Sequence, residues 1–353
     1  MVLGCAGPGA DSRLPEWHVV EELRLGGEDE GPLSFSDLRS FAVGEDGTLY
    51  VLEARENEVR VFDGSGAFLR TIGRRGQGPG EFERANGVAL TPDGHLWVYA
   101  PGARRLAQFT TTGEFVRNYI PPVNSWGWIW TGGISPDWRL YDHQILRADT
   151  GDVRAIVATD LRTERADTLA IPSCPATSHG YYSFPRGSMG IPFGTGRLHA
   201  LDAARAVVWC VDTREIRVHE YPIGATDPTR TLVAIVPPEP VTAAERDSAI
   251  ASVERFKEQV GDAPTDYSLI PPVKAVVEGV SMDDRSRVWV RARTAEGFRL
   301  IGFNTDGQPF ASVTLPEAPL RWAPVIVRGD LIYAVVTDAD DLPYLVRYRI
   351  EGQ

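Results

Sequence analysis

The chain has 353 residues, 43% hydrophobic and 24% charged, a balance that excludes a disordered chain, and no apolar run reaches the ~18 residues that a membrane-spanning helix needs. With 36 basic against 48 acidic side chains the formal charge is −12, which leaves no electrostatic footprint for a phosphate backbone and argues against a nucleic-acid partner. Gly (35) and Pro (26) make up roughly one residue in six, so turns are frequent.

In chain order, His18 to Leu25 reads as a strand. Four short β-branched and aromatic runs follow it, Phe41 to Val43, Leu49 to Glu53, Val59 to Phe62 and Ala67 to Ile72, broken by Asp46-Gly47 and Asp63-Gly64. Asp-Gly between alternating apolar runs is a hairpin signal, so the unit is a four-stranded antiparallel meander. It repeats without a gap: FAVGEDGTLYVLEARENEVRVFDGSGAFLRTIG from Phe41 is matched by VALTPDGHLWVYAPGARRLAQFTTTGEFVRNYI from Val88, as in Gly47/Gly94, Leu49/Leu96, Val51/Val98, Phe62/Phe109, Gly66/Gly113 and Phe68/Phe115. Weaker copies begin near Gly132, Ile191, Val277 and Val325. A period of about 40 to 50 residues with four strands marks propeller blades, which bury their faces against neighbouring blades.

The sixth copy stops after its third strand at Ile350, whereas Leu25, Gly26 and Phe35 hold the same register to Ile72, Gly73 and Phe82. His18 to Leu25 is therefore expected to be the missing fourth strand. A last blade shared by both chain ends closes a ring and leaves no open seam. The expected fold is all-β, a six-bladed β-propeller over residues 17–353, with 1–16 as a tether.

The connections that grow long, 74–86, 121–131, 172–190 and 224–274, all join a fourth strand to the next first strand and so lie on one face, where a rigid scaffold carries variable loops. The longest holds a helix. Thr242 to Glu245 is a capping box, Ile250, Val253, Phe256 and Val260 form a stripe, and Gly261 with Pro264 ends it. The stripe is expected to pack onto the propeller as a cap; a partner-binding helix is the other reading.

Trp126, Trp128 and Trp130 alternate, so an extended segment turns all three to one side, either to stack on a ligand or to plug the mouth of the channel. Tyr181, Tyr182 and Arg186 occupy the next long connection. Arg74, Arg75 and Arg84, with Arg104 and Arg105 from a neighbouring turn, either hold a carboxylate or phosphate through bidentate hydrogen bonds or form a solvated rim. GRRGQGPG is no phosphate loop, because it lacks the Gly-Lys-Ser/Thr ending and a following helix. The six histidines show no metal-ligand spacing, and the first strands read as FAV, VAL, GGI, IPF, VEG and VIV, which offer only Glu278. No metal or cofactor is expected, and no G-x-S-x-G nucleophile turn occurs. The predominance of arginine, 34 against the two lysines Lys257 and Lys274, is ascribed to coding bias.

DGTLYVLE, VRVFDGSGAFLRTIG and GRRGQGPGEF resemble the NHL-type six-bladed β-propellers of bacterial secreted and surface proteins, over Leu25 to Ile120. The resemblance implies an architecture more than a task. Val2-Leu3-Gly4-Cys5 resembles a bacterial lipoprotein cleavage box, with no charged or apolar export segment before it in this sequence. The expectation is an extracytoplasmic protein, periplasmic or on the outer membrane, anchored by lipid at Cys5 and otherwise off the membrane. An oxidising compartment allows Cys174 and Cys210 to pair. The expected function is a monomeric, non-enzymatic module that binds a peptide, glycan or protein segment at an aromatic and arginine-lined mouth. The alternative is a propeller enzyme, a lyase or lactone hydrolase, using the same mouth.

Overall fold

The computed structural model describes residues 14–91, 93–121, 130, 133–148, 151–172 and 180–351. A leading strand, β1 (Glu16–Leu25), precedes blade one: β2 (Leu38–Val43), β3 (Leu49–Glu53), β4 (Glu58–Phe62) and β5 (Phe68–Ile72). Blade two is β6 (Gly87–Thr91), β7 (His95–Ala100), β8 (Arg105–Thr110) and β9 (Phe115–Tyr119). Blade three is β10 (Gly133–Ile134), β11 (Arg139–Ala148), β12 (Gly151–Asp160) and β13 (Arg165–Ala170). A separate hairpin, β14 (Tyr181–Phe184) and β15 (Gly187–Gly190), leads to blade four: β16 (Arg197–Asp202), β17 (Val207–Asp212), β18 (Ile216–Pro222) and β19 (Arg230–Ala234). Helix α1 (Ala243–Val260) separates it from blade five: β20 (Val277–Met282), β21 (Val288–Thr294), β22 (Gly297–Phe303) and β23 (Pro309–Thr314). Blade six is β24 (Ile326–Arg328), β25 (Leu331–Thr337), β26 (Pro343–Glu351) and, as its fourth strand, β1.

The register of that last pairing runs antiparallel from His18 opposite Glu351 to Leu25 opposite Leu345, with one irregularity between Glu21 and Leu23. Glu16 and Trp17 continue in parallel beside Ser312 and Val313 of β23, so blades five and six share one eight-stranded sheet. The first and last described strands thus pair in blade six, and β1 also runs beside the outer edge of blade five.

One aromatic residue holds the same place in the second strand of every blade: Tyr50, Trp97, Tyr141, Trp209, Trp289 and Tyr333. Side chains alternate along a strand, so this residue points at the following blade. Tyr50 shares a buried cluster with Leu96 and Val98 of the next blade, Trp97 with Leu140, Tyr141 with Val208, Trp209 with Val288, Trp289 with Ile332, and Tyr333 with Leu49. The core is therefore a ring of six inter-blade layers, each containing one of these large buried rings.

On the face of the short turns, arginines tie the blades together. Arg70 donates to the Thr111 carbonyl (2.7 Å), Arg117 to Leu161 (3.2 Å), Arg205 to Asp283 (2.6 Å), Arg230 to Thr305 (2.7 Å), Arg328 to Val43 (3.2 Å) and Arg347 to Gly64 (2.6 Å), each time crossing from one blade to the next. A long stem ending in a planar fork can satisfy its own blade and a neighbour's carbonyl at once, which a lysine ammonium does less well. These arginines thus have structural work beyond the coding bias to which their number was ascribed.

Blade four corrects the sequence reading. Its first strand is β16, not Ile191-Pro-Phe193, and Cys210 lies in the second strand, β17. The fourth strand, β19, lies inside the stretch 224–274 that was read as insertion. The left-handed Ala206 (φ 53°) sits in the turn where blades one and two carry Gly47 (φ 84°) and Gly94 (φ 78°), and Trp209 takes the aromatic place. With no glycine in that turn, the local signal was lost.

Helix α1 begins with the capping box: the Thr242 hydroxyl accepts from Glu245 N–H (3.2 Å), and Thr242 N–H donates to the Glu245 carboxylate (3.0 Å). Its stripe packs on the β14–β15 hairpin, not directly on the blades. Tyr182, Phe184, Ile191, Val253 and Ile270 form a small core of their own. Lys274 and Arg293, both joined to Glu239, tie this cap to blade five.

Candidate ligand-binding site

Directly after the aromatic place, the second strands carry Val51, Val98, Asp142, Cys210, Val290 and Ala334, residues that face the preceding blade. Blade three alone puts a carboxyl there, and it continues with His143 and Gln144. The run lies on the long-loop half of β11. Asp142 and Gln144 are each only 5% exposed, and the Gln144 amide donates to the Asp142 carboxylate. Burial pushes the Asp142 carboxyl up from its ordinary 3.8 to about 7, against the opposing pull of the Gln144 amide and the His143 N–H. The Trp130 indole beside it also pulls slightly downward, although its N–H makes no hydrogen bond among the described residues.

On the other side of β11, His143 faces blade four and meets His199 of β16, ring centroids 6.4 Å apart. His199 Nε2 lies 3.4 Å from the Pro172 carbonyl oxygen and 3.7 Å from Cys210 Sγ. Cys210 is disulfide-bonded, and the other two cysteines lie outside the described residues. His199 also overturns the reading that the first strands offer only Glu278.

In front of Asp142 stands an aromatic pair. Trp130 is buried and lies 5.6 Å from Tyr99 at 35°, and its backbone N–H donates to the Asn86 carbonyl (3.3 Å). Gly87 permits the approach, since a Cβ there would lie 2.7 Å from Trp130 Cβ. Three residues before Gly87 is Arg84, and five after Tyr99 is Arg104; both are exposed. The Arg84 stem lies across Gly102, whose missing Cβ would sit 2.9 Å from Arg84 Cβ and Cγ. Loop and turn therefore bring Arg84 and Arg104 to one rim beside the Trp130–Tyr99 pair.

The remaining expected site residues divide. Arg74 is paired with Glu81 (2.8 Å), and Arg75 donates to the Arg55 carbonyl (2.5 Å). Tyr181 is exposed on the hairpin. Tyr182 and Arg186 do not line the mouth: the Tyr182 hydroxyl donates to the Asp266 carbonyl (3.0 Å) and the Arg186 guanidinium to the Gln259 carbonyl (2.9 Å), so both hold the cap together. Trp126, Trp128 and Cys5 lie outside the described residues. Asp142, Gln144 and His199 were missed; an alignment of the second strands on their aromatic residue finds Asp142 and Gln144, whereas His199 sits in the first strand β16, which the displaced start of blade four concealed.

Comparison with known proteins fits the ring. The DUF5128 family model, described as a 6-bladed beta-propeller, matches residues 41–123. None of the curated proteins matches the chain. A solved member of the DUF4221 family from Bacteroides vulgatus is 14% identical, with 97% of this chain and 100% of that one covered at a TM-score of 0.60. A candidate exported protein from Bacteroides fragilis is 12% identical over 96% and 99%, at 0.55. Virginiamycin B lyase from Staphylococcus aureus is more distant, 11% identical over 96% and 90%, at 0.43. The fold is an all-β, six-bladed propeller.

Proposed function

We propose that the protein is an exported, ligand-binding propeller module whose site is the long-loop mouth over blades two and three. Trp130 and Tyr99 form its aromatic wall, and Asp142 with Gln144 its polar floor. One observation carries this reading: blade three alone has a carboxyl directly after the aromatic place and follows it with two more polar side chains, His143 and Gln144, whereas no other blade has more than one charged residue in that run (Glu53, Asp212 and Arg291). Three polar side chains in a row in a packed strand cost stability and usually serve function. Aromatic surface with a few placed polar groups is the make-up of sites for peptides and sugars. The disulfide at Cys210 supports an oxidising compartment, as does the lipoprotein-like box at Cys5.

The test is a peptide and glycan array, with affinities of any hits compared between the wild type and Asp142→Val/Gln144→Ala, which gives blade three the side chains that blade two has at Val98 and Ala100. The expected result is a folded variant that binds at least about tenfold more weakly, as the loss of a buried hydrogen-bonding pair implies. No hits, or equal affinity in both proteins, removes the proposal. An enzymatic reading is favoured by one fact, a carboxyl with a pKa of about 7, which suits general acid–base work near neutrality. Turnover by the wild type in a lyase and lactonase substrate panel, lost in Asp142→Asn, would replace binding with catalysis.

A further inference from the structure

We infer that Arg84 and Arg104 form an oxyanion-binding fork at the rim of this mouth, for a carboxylate or phosphate group of the ligand; the inference rests on the mouth reading for the fork's role and on the repeat for its existence. In the register of 47, the positions in blade one that match Arg84 and Arg104 are Asp37 and Asn57. Asn57 shows what the scaffold requires there. It is buried in the left-handed region (φ 58°), its amide oxygen accepts from Ala85 N–H (3.2 Å), and its amide nitrogen donates to the Arg55 carbonyl (3.2 Å). Asparagine adopts that backbone readily and uses its amide locally.

Blade two keeps the left-handed backbone and discards the amide. Arg104 has φ 52° and Arg84 has φ 54°, a conformation that crowds the β-carbon of any residue but glycine. Neither guanidinium has a carboxylate or carbonyl partner among the described residues, and both are exposed. Their neighbours are satisfied: Arg74 by Glu81, Arg75 by the Arg55 carbonyl, Arg105 by the Gly78 carbonyl (3.0 Å), and Glu83 by the Gln77 amide (3.3 Å). The Arg104 N–H closes its own turn on the Pro101 carbonyl (3.1 Å), so the backbone is accounted for and the guanidinium is left over. What remains is two planar donor forks on adjacent turns, the Arg84 stem lying against Gly102 two residues before Arg104, and a guanidinium fork is the group that takes an oxyanion bidentately. With a net charge of −12 the chain as a whole repels anions, so the binding is short-ranged and falls with salt.

The experiment titrates inorganic phosphate and, separately, acetate into the full chain at constant ionic strength, following the arginine Nε–H resonances and the thermal midpoint. The expected result is saturable, millimolar binding of at least one anion. Each of Arg84→Gln and Arg104→Gln should weaken it about tenfold, the double variant should abolish it, and Arg162→Gln on the opposite face should leave it unchanged. Phosphate favoured over acetate assigns a phosphate-bearing ligand, and acetate binding equally well or better assigns a carboxylate. No saturable binding of either anion, or equal binding by the double variant, overturns the fork. The Asp142→Val/Gln144→Ala protein keeps its rim. Anion binding that persists while the arrays stay empty therefore sinks the mouth reading alone, and Asp142-dependent array binding without anion binding sinks the fork alone.

Discussion

Replacing Asp142 with asparagine should remove a pH-dependent weakness from the fold. The folded protein holds this carboxyl to about 7 against an ordinary 3.8, because burial opposes its charge. The unfolded chain releases the proton on passing 3.8, whereas the folded chain holds it until about pH 7. Stability from this group is fully present below 3.8, falls as the pH rises through that interval, and is lost above 7. At about 1.36 kcal/mol for each pH unit, the interval amounts to at most about 4 kcal/mol. Asparagine keeps the shape and the contact with Gln144 and does not titrate. Urea unfolding of both proteins from pH 4 to pH 8, followed by tryptophan fluorescence, should therefore show nearly equal stability at the acid end and a growing advantage for Asp142→Asn toward the alkaline end. All other titrating groups are common to the two proteins and cancel. A difference that is flat with pH, or a wild type that gains on the variant as the pH rises, refutes the reasoning.

Two predictions concern the scaffold. Arg117 donates from Nε to Gln108 (3.0 Å) and from its fork to the Leu161 carbonyl of blade three, while lying over the Trp97 ring (5.6 Å). Arg117→Lys cannot make both hydrogen bonds and should cost about 1 to 2 kcal/mol, read by urea unfolding; no loss would mean that the inter-blade contact carries no stability. Gly87→Ala places a methyl group 2.7 Å from Trp130 Cβ, which should cost about 1 to 3 kcal/mol and shift the emission of Trp130 as the ring is displaced, and an unchanged spectrum would place Trp130 elsewhere.

Local chemistry determined much of this molecule. Strands bounded by Asp46-Gly47, Asp63-Gly64 and their copies at a spacing of 47, an end without a fourth strand and a beginning with a spare one, and the capping box at Thr242 all act over a few residues, where side-chain alternation and turn preference leave few alternatives. Where the turn glycine was absent, as at Ala206, the same logic slipped by one strand, because a strand's rank in its blade depends on which neighbours it pairs with across the ring. The site depended still more on distant partners. Arg186 went to the cap because a helix some 70 residues later offers it a carbonyl, and Trp130 reaches blade two because Gly87 has no side chain in its way. Asp142 became a near-neutral acid because a blade packs over it. Burial and pairing are properties of the closed ring, set by contacts between segments remote along the chain, and local periodicity carries no trace of them.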